Sequence, residues 1–260
     1  MASTIIAIGD ELVAGHTLDT NSHWLAVRLR ACGRPAKRIT VVRDRQSEIV
    51  EQVHRDLADP DVEDVFCSGG LGPTPDDRTF EAVAAALDRE LVTWQPVIER
   101  MEARVRTLRE LGLLDTPDLG EGNRRMARVP AGPDRVFRNR RGTAPGLLYE
   151  VQGHRLFVLP GVPAEMRGIF LEEVEPEYLA GGIAPVILEL RFTHAAESLF
   201  YPVMRALEES HPEVAVGSYP QTATRELILR FSGADEVRVR EARDVVRLRA
   251  AGMGLAARSR

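Results

Sequence analysis

The chain has 260 residues, 44% of them apolar and 28% charged, with a formal net charge of −5. That balance suits a globular protein with a real core, and it removes a chain-wide electrostatic case for nucleic acid. Two cysteines, Cys32 and Cys67, are too few for a disulfide or zinc framework. No run approaches the roughly 20 apolar residues of a membrane span, so the expectation is a cytoplasmic protein with no membrane partner.

The first third alternates strand and helix. TIIAI (4–8) is a short β-branched run suited to a strand buried on both faces. Thr20 can cap a helix through Cys32, and Gly33 ends it. RITVV (38–42) reads as strand, 46–58 as helix with Ile49, Val53 and Leu57 on one stripe, and DVFC (64–67) as strand. After a glycine loop, 80–91 and 96–112 read as helices, and a shorter helical segment ends at Pro130. Such alternation implies a parallel sheet with right-handed crossovers. DRVFRN, GLLYEV and RLFVLP look extended, with a turn at Gly153-His154, and Pro163 opens a helix through Val174. Gly181-Gly182 marks a boundary between residues 1–181 and 182–260. Beyond it the pattern is βαββα, a small ferredoxin-like or KH-like module, with a frayed tail from Gly252. No GxxG loop lies in 185–250 to clamp a nucleic-acid backbone.

CSGGLGPTPDDRT (67–79) combines Gly69, Gly70 and Gly72, suited to close approach of a phosphate, with Asp76 and Asp77, which repel one. Asp10 follows the first strand, Asp44 the second and Asp76 the third. Residues just past the ends of parallel strands share one edge, where ligands bind. A divalent cation would reconcile the parts, because Mg²⁺ takes one or two carboxylates plus phosphate oxygens and water. A blander reading stands beside it. Thr74 as N-cap, Pro75 at N1 and Asp77 completing a capping box would start a helix. Asp44 can serve a turn, and Asp10-Glu11 can be solvated. Arg135, Arg138, Arg140 and Arg141 form either a solvated loop or a phosphate contact. The histidines lack zinc spacing, no serine sits in a GxSxG elbow, and GGLGPT lacks the Walker ending.

GDELVAGHTLDTN (9–21), VVRD (41–44), GGLGPTPDD (69–77), NRRGTAPG (139–146) and LPGVPAEM (159–166), in this order, resemble the N-terminal domain of competence/damage-inducible CinA proteins. That domain is similar to the molybdopterin-binding domains of molybdenum cofactor biosynthesis. The resemblance implies a three-layer α/β/α sandwich with a mainly parallel sheet, usually dimeric. It implies metal-dependent hydrolysis of ADP-ribose to AMP and ribose 5-phosphate. Related domains bind molybdopterin or transfer adenylate to it, and a non-catalytic nucleotide sensor is a third alternative. Longer members continue into a domain that deamidates nicotinamide mononucleotide; this chain stops at Arg260, so that activity is not carried over. The expected metal ligands are Asp10, Asp44 and Asp76, holding Mg²⁺, Mn²⁺ or Co²⁺. Asp76, Asp77 and Glu165 are the expected catalytic acids. Asn21, Gly69, Gly70, Gly72, Thr74, Asn139, Gly142, Thr143 and Gly161 are expected to bind a nucleotide-type substrate.

Overall fold

The first strand, β1 (Ala2–Ile8), shows why the sheet is buried on both sides. Ile5 packs into one apolar cluster, while Ile6 and Ile8 pack into another. The computed structural model describes residues 2–113 and 119–259. It divides into two compact units, Met1–Gly182 and Ile183–Arg260.

After β1 come the short α1 (Asp10–Val13) and α2 (Thr20–Ala31). The cap of α2 is Asp19, not Thr20: its carboxylate accepts from the Ser22 amide at 2.9 Å. β2 (Ala36–Val42), α3 (Gln46–Leu57), β3 (Val62–Ser68) and α4 (Thr79–Ala86) complete the alternation. The helix expected over 80–91 stops early, because Leu91–Thr93 forms β4. α5 (Gln95–Glu110) and α6 (Glu121–Arg125) follow. Arg128–Pro130, read as a helix end, is instead β5, paired antiparallel with β4. β6 (Arg135–Phe137), β7 (Gly146–Val151) and β8 (His154–Leu159) are extended as expected. The β7–β8 turn sits at Gln152-Gly153, both at positive φ. α7 (Pro163–Ile169) widens into a π-helical turn over Phe170–Val174 before α8 (Glu175–Tyr178).

The sheet runs β2-β1-β3-β8-β7-β6. Its first four strands are parallel; β7 runs antiparallel to β8, and β6 antiparallel to β7. One face packs Ile49 and Val53 of α3, Val83 of α4 and Met101 of α5. The other packs Leu25 and Leu29 of α2, Met166 of α7 and Phe170. This is the expected three-layer sandwich. At its centre Phe66 and Phe157 stack with ring centroids 4.7 Å apart. The carboxyl ends of β1, β2, β3 and β8 share one edge, and the candidate site lies there.

The second unit contains β9 (Val186–Thr193), a 3₁₀ turn over Glu197–Phe200, α9 (Tyr201–Ser210), β10 (Ala215–Gln221), β11 (Glu226–Gly233), α10 (Glu236–Gly252) and β12 (Ala257–Ser259). The tail expected to fray is therefore a fourth strand, pairing antiparallel with β9. Its three residues after a Gly-Met-Gly lead are too short to declare a strand period. The order β10-β11-β9-β12 makes the unit βαββαβ, ferredoxin-like rather than KH-like. It has its own core, centred on Phe192, Phe231 and Val246.

Candidate functional site

The glycine loop leaves β3 under tight constraint. The Gly69 amide donates to the Leu159 carbonyl at 3.2 Å, extending the β3–β8 ladder by one bond. Gly69 and Gly70 have φ of 114° and 64°, where side chains are disfavoured. A Cβ on Gly69 would also run into the Ile8 carbonyl. Behind the loop, Thr79 opens α4. Its buried hydroxyl donates to the Gly69 carbonyl at 2.8 Å, and its amide to the Gly70 carbonyl at 3.1 Å. Thr79 was not anticipated from the sequence, although a threonine two residues after an Asp pair is a visible helix-start signal.

The expected helix start at Thr74-Pro75 is not formed, since α4 begins at Thr79. Residues 74–77 instead make a turn. The Asp77 amide donates to the Thr74 carbonyl at 3.1 Å. In return, Asp77 Oδ2 accepts from the Thr74 amide at 2.9 Å and from its hydroxyl at 2.5 Å. The reciprocity of a capping box is present, but it closes a turn. Arg125 braces that turn, donating to the carbonyls of Thr74 and Asp77 and pairing with Glu81.

These loops enclose a cleft of about 410 Å³, within the range of small-molecule sites. Gly69, Gly70, Gly72, Thr143 and Gly161 line it, as do Asp44, Asp76, Asp77 and Glu165. Five expected residues do not line it. Asp10 contributes its backbone instead: its amide donates to Asp44 Oδ2 at 2.8 Å. Its neighbour Glu11 takes the lining position, so the acid sits one residue further along α1 than expected. Thr74 closes the turn. Asn139 is buried, donating to the Ala144 carbonyl at 2.8 Å and to Glu165 Oε2 at 2.5 Å. It positions Glu165 rather than meeting a ligand. Gly142 makes room for that carboxylate, since any Cβ there would overlap it. Asn21 lines a smaller adjoining cavity of about 120 Å³, with Ser68, Gly69 and Gly161.

Asn21 is held in one orientation. The Ser68 hydroxyl donates to the Pro160 carbonyl at 3.1 Å, so it accepts from Asn21 Nδ2 at 3.3 Å. The same Nδ2 donates to the Gly161 carbonyl at 2.7 Å. Asn21 Oδ1 is left buried with no hydrogen-bond partner among the described residues. Its amide therefore presents an acceptor.

The cleft concentrates negative charge. Glu11, Asp44, Asp76, Asp77 and Glu165 line it, and among the described residues no lysine or arginine does. Burial pushes the Asp44 carboxyl above its ordinary range; the Asp10 amide opposes this, and the charges of Asp10, Glu11 and Asp77 add to it. Hydrogen bonding within the Thr74–Asp76 turn, and more weakly the charge of Arg125, hold the Asp76 carboxyl below its ordinary range. The arginine cluster does not relieve the charge. Arg135 pairs with Glu177, Arg140 and Arg141 pair with Glu172, and the Arg138 amide donates to Glu173. None of the four lines the cleft.

The residues fit a divalent cation of one kind. Among the described residues no three His, Cys, Asp or Glu side chains gather into a metal cage, so Asp10, Asp44 and Asp76 do not form a three-carboxylate centre. Mg²⁺ asks for less, with ligand phosphate and water completing its shell. Asp44 is the carboxylate that such a cation would meet, with the charges of Glu11 and Asp77 acting on it.

A three-layer α/β domain with a glycine-and-carboxylate cleft at its parallel strand ends belongs to the class that holds small ligands beyond the sheet's carboxyl edge. A family model described as "Probable molybdopterin binding domain" matches residues 4–180. The chain belongs to that family. Protein TK1472 of Thermococcus kodakarensis is 44% identical over 177 residues, covering 68% of this chain and 69% of that one. A protein of Aeropyrum pernix is 37% identical over 219 residues, covering 84% and 78%. The crystal structure of the protein CinA with unknown function from Thermoplasma acidophilum is 31% identical, with TM-score 0.58, over 67% of this chain and 96% of that one. The fold is thus CinA-like and molybdopterin-binding-like. Among the described residues no helix is long and apolar enough to cross a membrane.

Proposed function

We propose that the cleft binds a phosphorylated pterin of the molybdopterin class and, with a divalent cation, supports transfer of an adenylyl group to its phosphate. The carrying observation is a cleft with glycine backbone at the strand ends, five carboxylates and no basic side chain. A bare phosphate is repelled there, whereas a phosphate paired with a cation is held. The family match supports the pterin as the ligand. ADP-ribose hydrolysis, expected from the CinA resemblance, gains no support from the comparisons.

In this reading Asp44 holds the cation, and ligand phosphate and water complete its shell. Bound there, the cation would neutralise phosphate charge and polarise the phosphoryl group. The amides of Gly70, Leu71 and Gly72 orient the pterin phosphate. Glu165, fixed through Asn139, keeps its second oxygen for a ligand hydroxyl or water. A pterin phosphate oxygen attacks the α-phosphorus of a nucleoside triphosphate. A new P–O–P bond forms, the bond to the β-phosphate breaks, and pyrophosphate leaves.

The test offers molybdopterin with MgATP and looks for an adenylylated pterin and pyrophosphate. In parallel, ADP-ribose with Mg²⁺, Mn²⁺ or Co²⁺ is assayed for AMP. The expected result is cation-dependent pterin binding and adenylylation, both lost in Asp44→Asn. AMP from ADP-ribose with no pterin binding overturns the proposal in favour of a hydrolase. Pterin binding that is equal in EDTA and in Mg²⁺ overturns the cation's part. Tight binding without turnover overturns the transferase step.

A further inference from the structure

The acid cleft takes two of its carboxylates, Asp76 and Asp77, from the Thr74–Asp77 turn. That turn belongs to no helix or strand, and residues 73–76 are exposed. Its internal bonds run only between Thr74 and Asp77. Such a segment has little of its own to hold it in place. Its place is set by α6, which reaches it from far along the chain.

α6 is fixed to the core at both ends. Before it, Leu119 is buried, and the Leu119 carbonyl accepts from Arg124 Nε at 3.1 Å. After it, Met126, Ala127 and Val129 are buried in the apolar cluster on the α3 face. From this mount α6 meets the turn closely. Arg125 donates through Nη1 to the Thr74 carbonyl and through Nη2 to the Asp77 carbonyl at 2.7 Å, so one guanidinium spans both ends of the turn. The same side chain meets Glu81 of α4 at 2.8 Å. Gly122 lets the two backbones approach, since a Cβ there would come within 2.7 Å of the Pro73 carbonyl oxygen. Met126, the residue after Arg125, lines the acid cleft itself. Water could satisfy both carbonyls of an exposed turn. A planar guanidinium that takes them instead fixes where the turn lies.

We propose that Arg125 and Gly122 are positioning residues of the acid cleft. Through α6 they hold the Thr74–Asp77 turn so that Asp76 and Asp77 stand in the cleft with Asp44. Neither residue lines the cleft, so both act through the turn. The assignment rests on the cation reading of the cleft, in which the carboxylates around Asp44 supply the attracting field. That reading also gives the effect a sign. Removing a positive charge beside the cleft would by itself strengthen cation binding. Weaker binding is the mark of lost position.

The test uses the full chain with Mn²⁺ alone as the probe, counted by electron paramagnetic resonance, and amide exchange by NMR in EDTA. Arg125→Gln is expected to weaken Mn²⁺ binding about tenfold, as the loss of the charge-assisted bonds to the turn implies. In EDTA its Thr74 and Asp77 amides are expected to exchange about tenfold faster, while those of β1 and β3 exchange as in the parent. Arg125→Lys keeps the charge without the planar fork and is expected to recover part of the affinity. Glu81→Gln removes the ion pair, keeps the tie to the carbonyls and is expected to bind Mn²⁺ like the parent. Gly122→Ala favours the helix yet forces it off Pro73, so it is expected to weaken Mn²⁺ binding. Mn²⁺ affinity that is unchanged or higher in Arg125→Gln overturns the assignment. So does exchange that is unchanged at Thr74 and Asp77, or that is faster throughout the domain. If the parent binds no Mn²⁺, the cation reading of the cleft falls, and exchange in EDTA alone decides whether Arg125 positions the turn.

Discussion

At the residue scale, Asp44 is a group whose charge the fold tolerates poorly. Its carboxyl titrates above the ordinary range, chiefly because it is buried. A raised carboxyl contributes stability that is present below its unfolded value and lost as pH rises through its folded value. At neutral pH without cation, ionised Asp44 is therefore a net cost. Asp44→Asn keeps an acceptor for the Asp10 amide and removes the charge. It is expected to raise Tm in EDTA at pH 7, on the scale of about 2–4 °C per kcal/mol. The gain should shrink toward zero in acid, where native Asp44 is protonated, and Mg²⁺ should no longer raise Tm. A lower Tm in EDTA at pH 7 would refute this reading. Asn21 gives a second case. Asn21→Asp places a carboxylate oxygen against the Gly161 carbonyl and loses a donor, an expected cost of about 1–3 kcal/mol by urea unfolding. The glycines and Asp44 were legible because close phosphate approach and strand-end acids leave plain marks in sequence. Glu11, in place of Asp10, was not. Which of two adjacent acids faces inward depends on where α1 begins, and a four-residue helix carries no periodicity to fix that.

At the element scale, the glycine loop and α4 act as one piece. Thr79 joins them by two hydrogen bonds, one from a fully buried hydroxyl. Thr79→Val keeps the shape and strands the Gly69 carbonyl, so it is expected to cost about 1–3 kcal/mol. Gly69→Ala is expected to do more. It must adopt a φ of 114°, a strain of about 1–3 kcal/mol, while its Cβ meets the Ile8 carbonyl. Ligand affinity should fall with stability, and calorimetry on both variants checks the pair. Strands β1, β3 and β8 were readable because strands buried on both faces are written as unbroken apolar runs. The starts of helices were less so. Thr74-Pro75-Asp76-Asp77 carries every signal of a helix N-terminus, yet the bracing by Arg125 and the 69–79 bonds hold it as a turn. Local capping chemistry lost to tertiary contacts supplied by α6, which lies some fifty residues on. β4, β5 and β12 have three residues each, too few for alternation to appear, so they exist by virtue of partners rather than pattern.

At the scale of the whole molecule, each unit carries its own completed sheet and its own core. The first has apolar clusters on both faces of a six-stranded sheet, and the second has one cluster under a four-stranded sheet. No described strand of one unit pairs with a sheet of the other. Every residue lining the acid cleft lies before residue 183. These facts lead to one expectation. A chain of residues 1–182 should fold alone and keep the cation-dependent binding of the full chain. Residues 183–260 should fold alone without it. The second unit's stability should hinge on β12, because Ala257 pairs with Phe192 of β9 and shields that edge of its sheet. Removing residues 254–260 is therefore expected to lower the second unit's melting transition and leave the first unit's in place. Calorimetry of the full chain, of each piece and of the shortened chain decides the matter. Two transitions assignable to the pieces support independent folding. A single transition for the full chain, with both pieces unfolded, would mean that the units depend on each other for their stability.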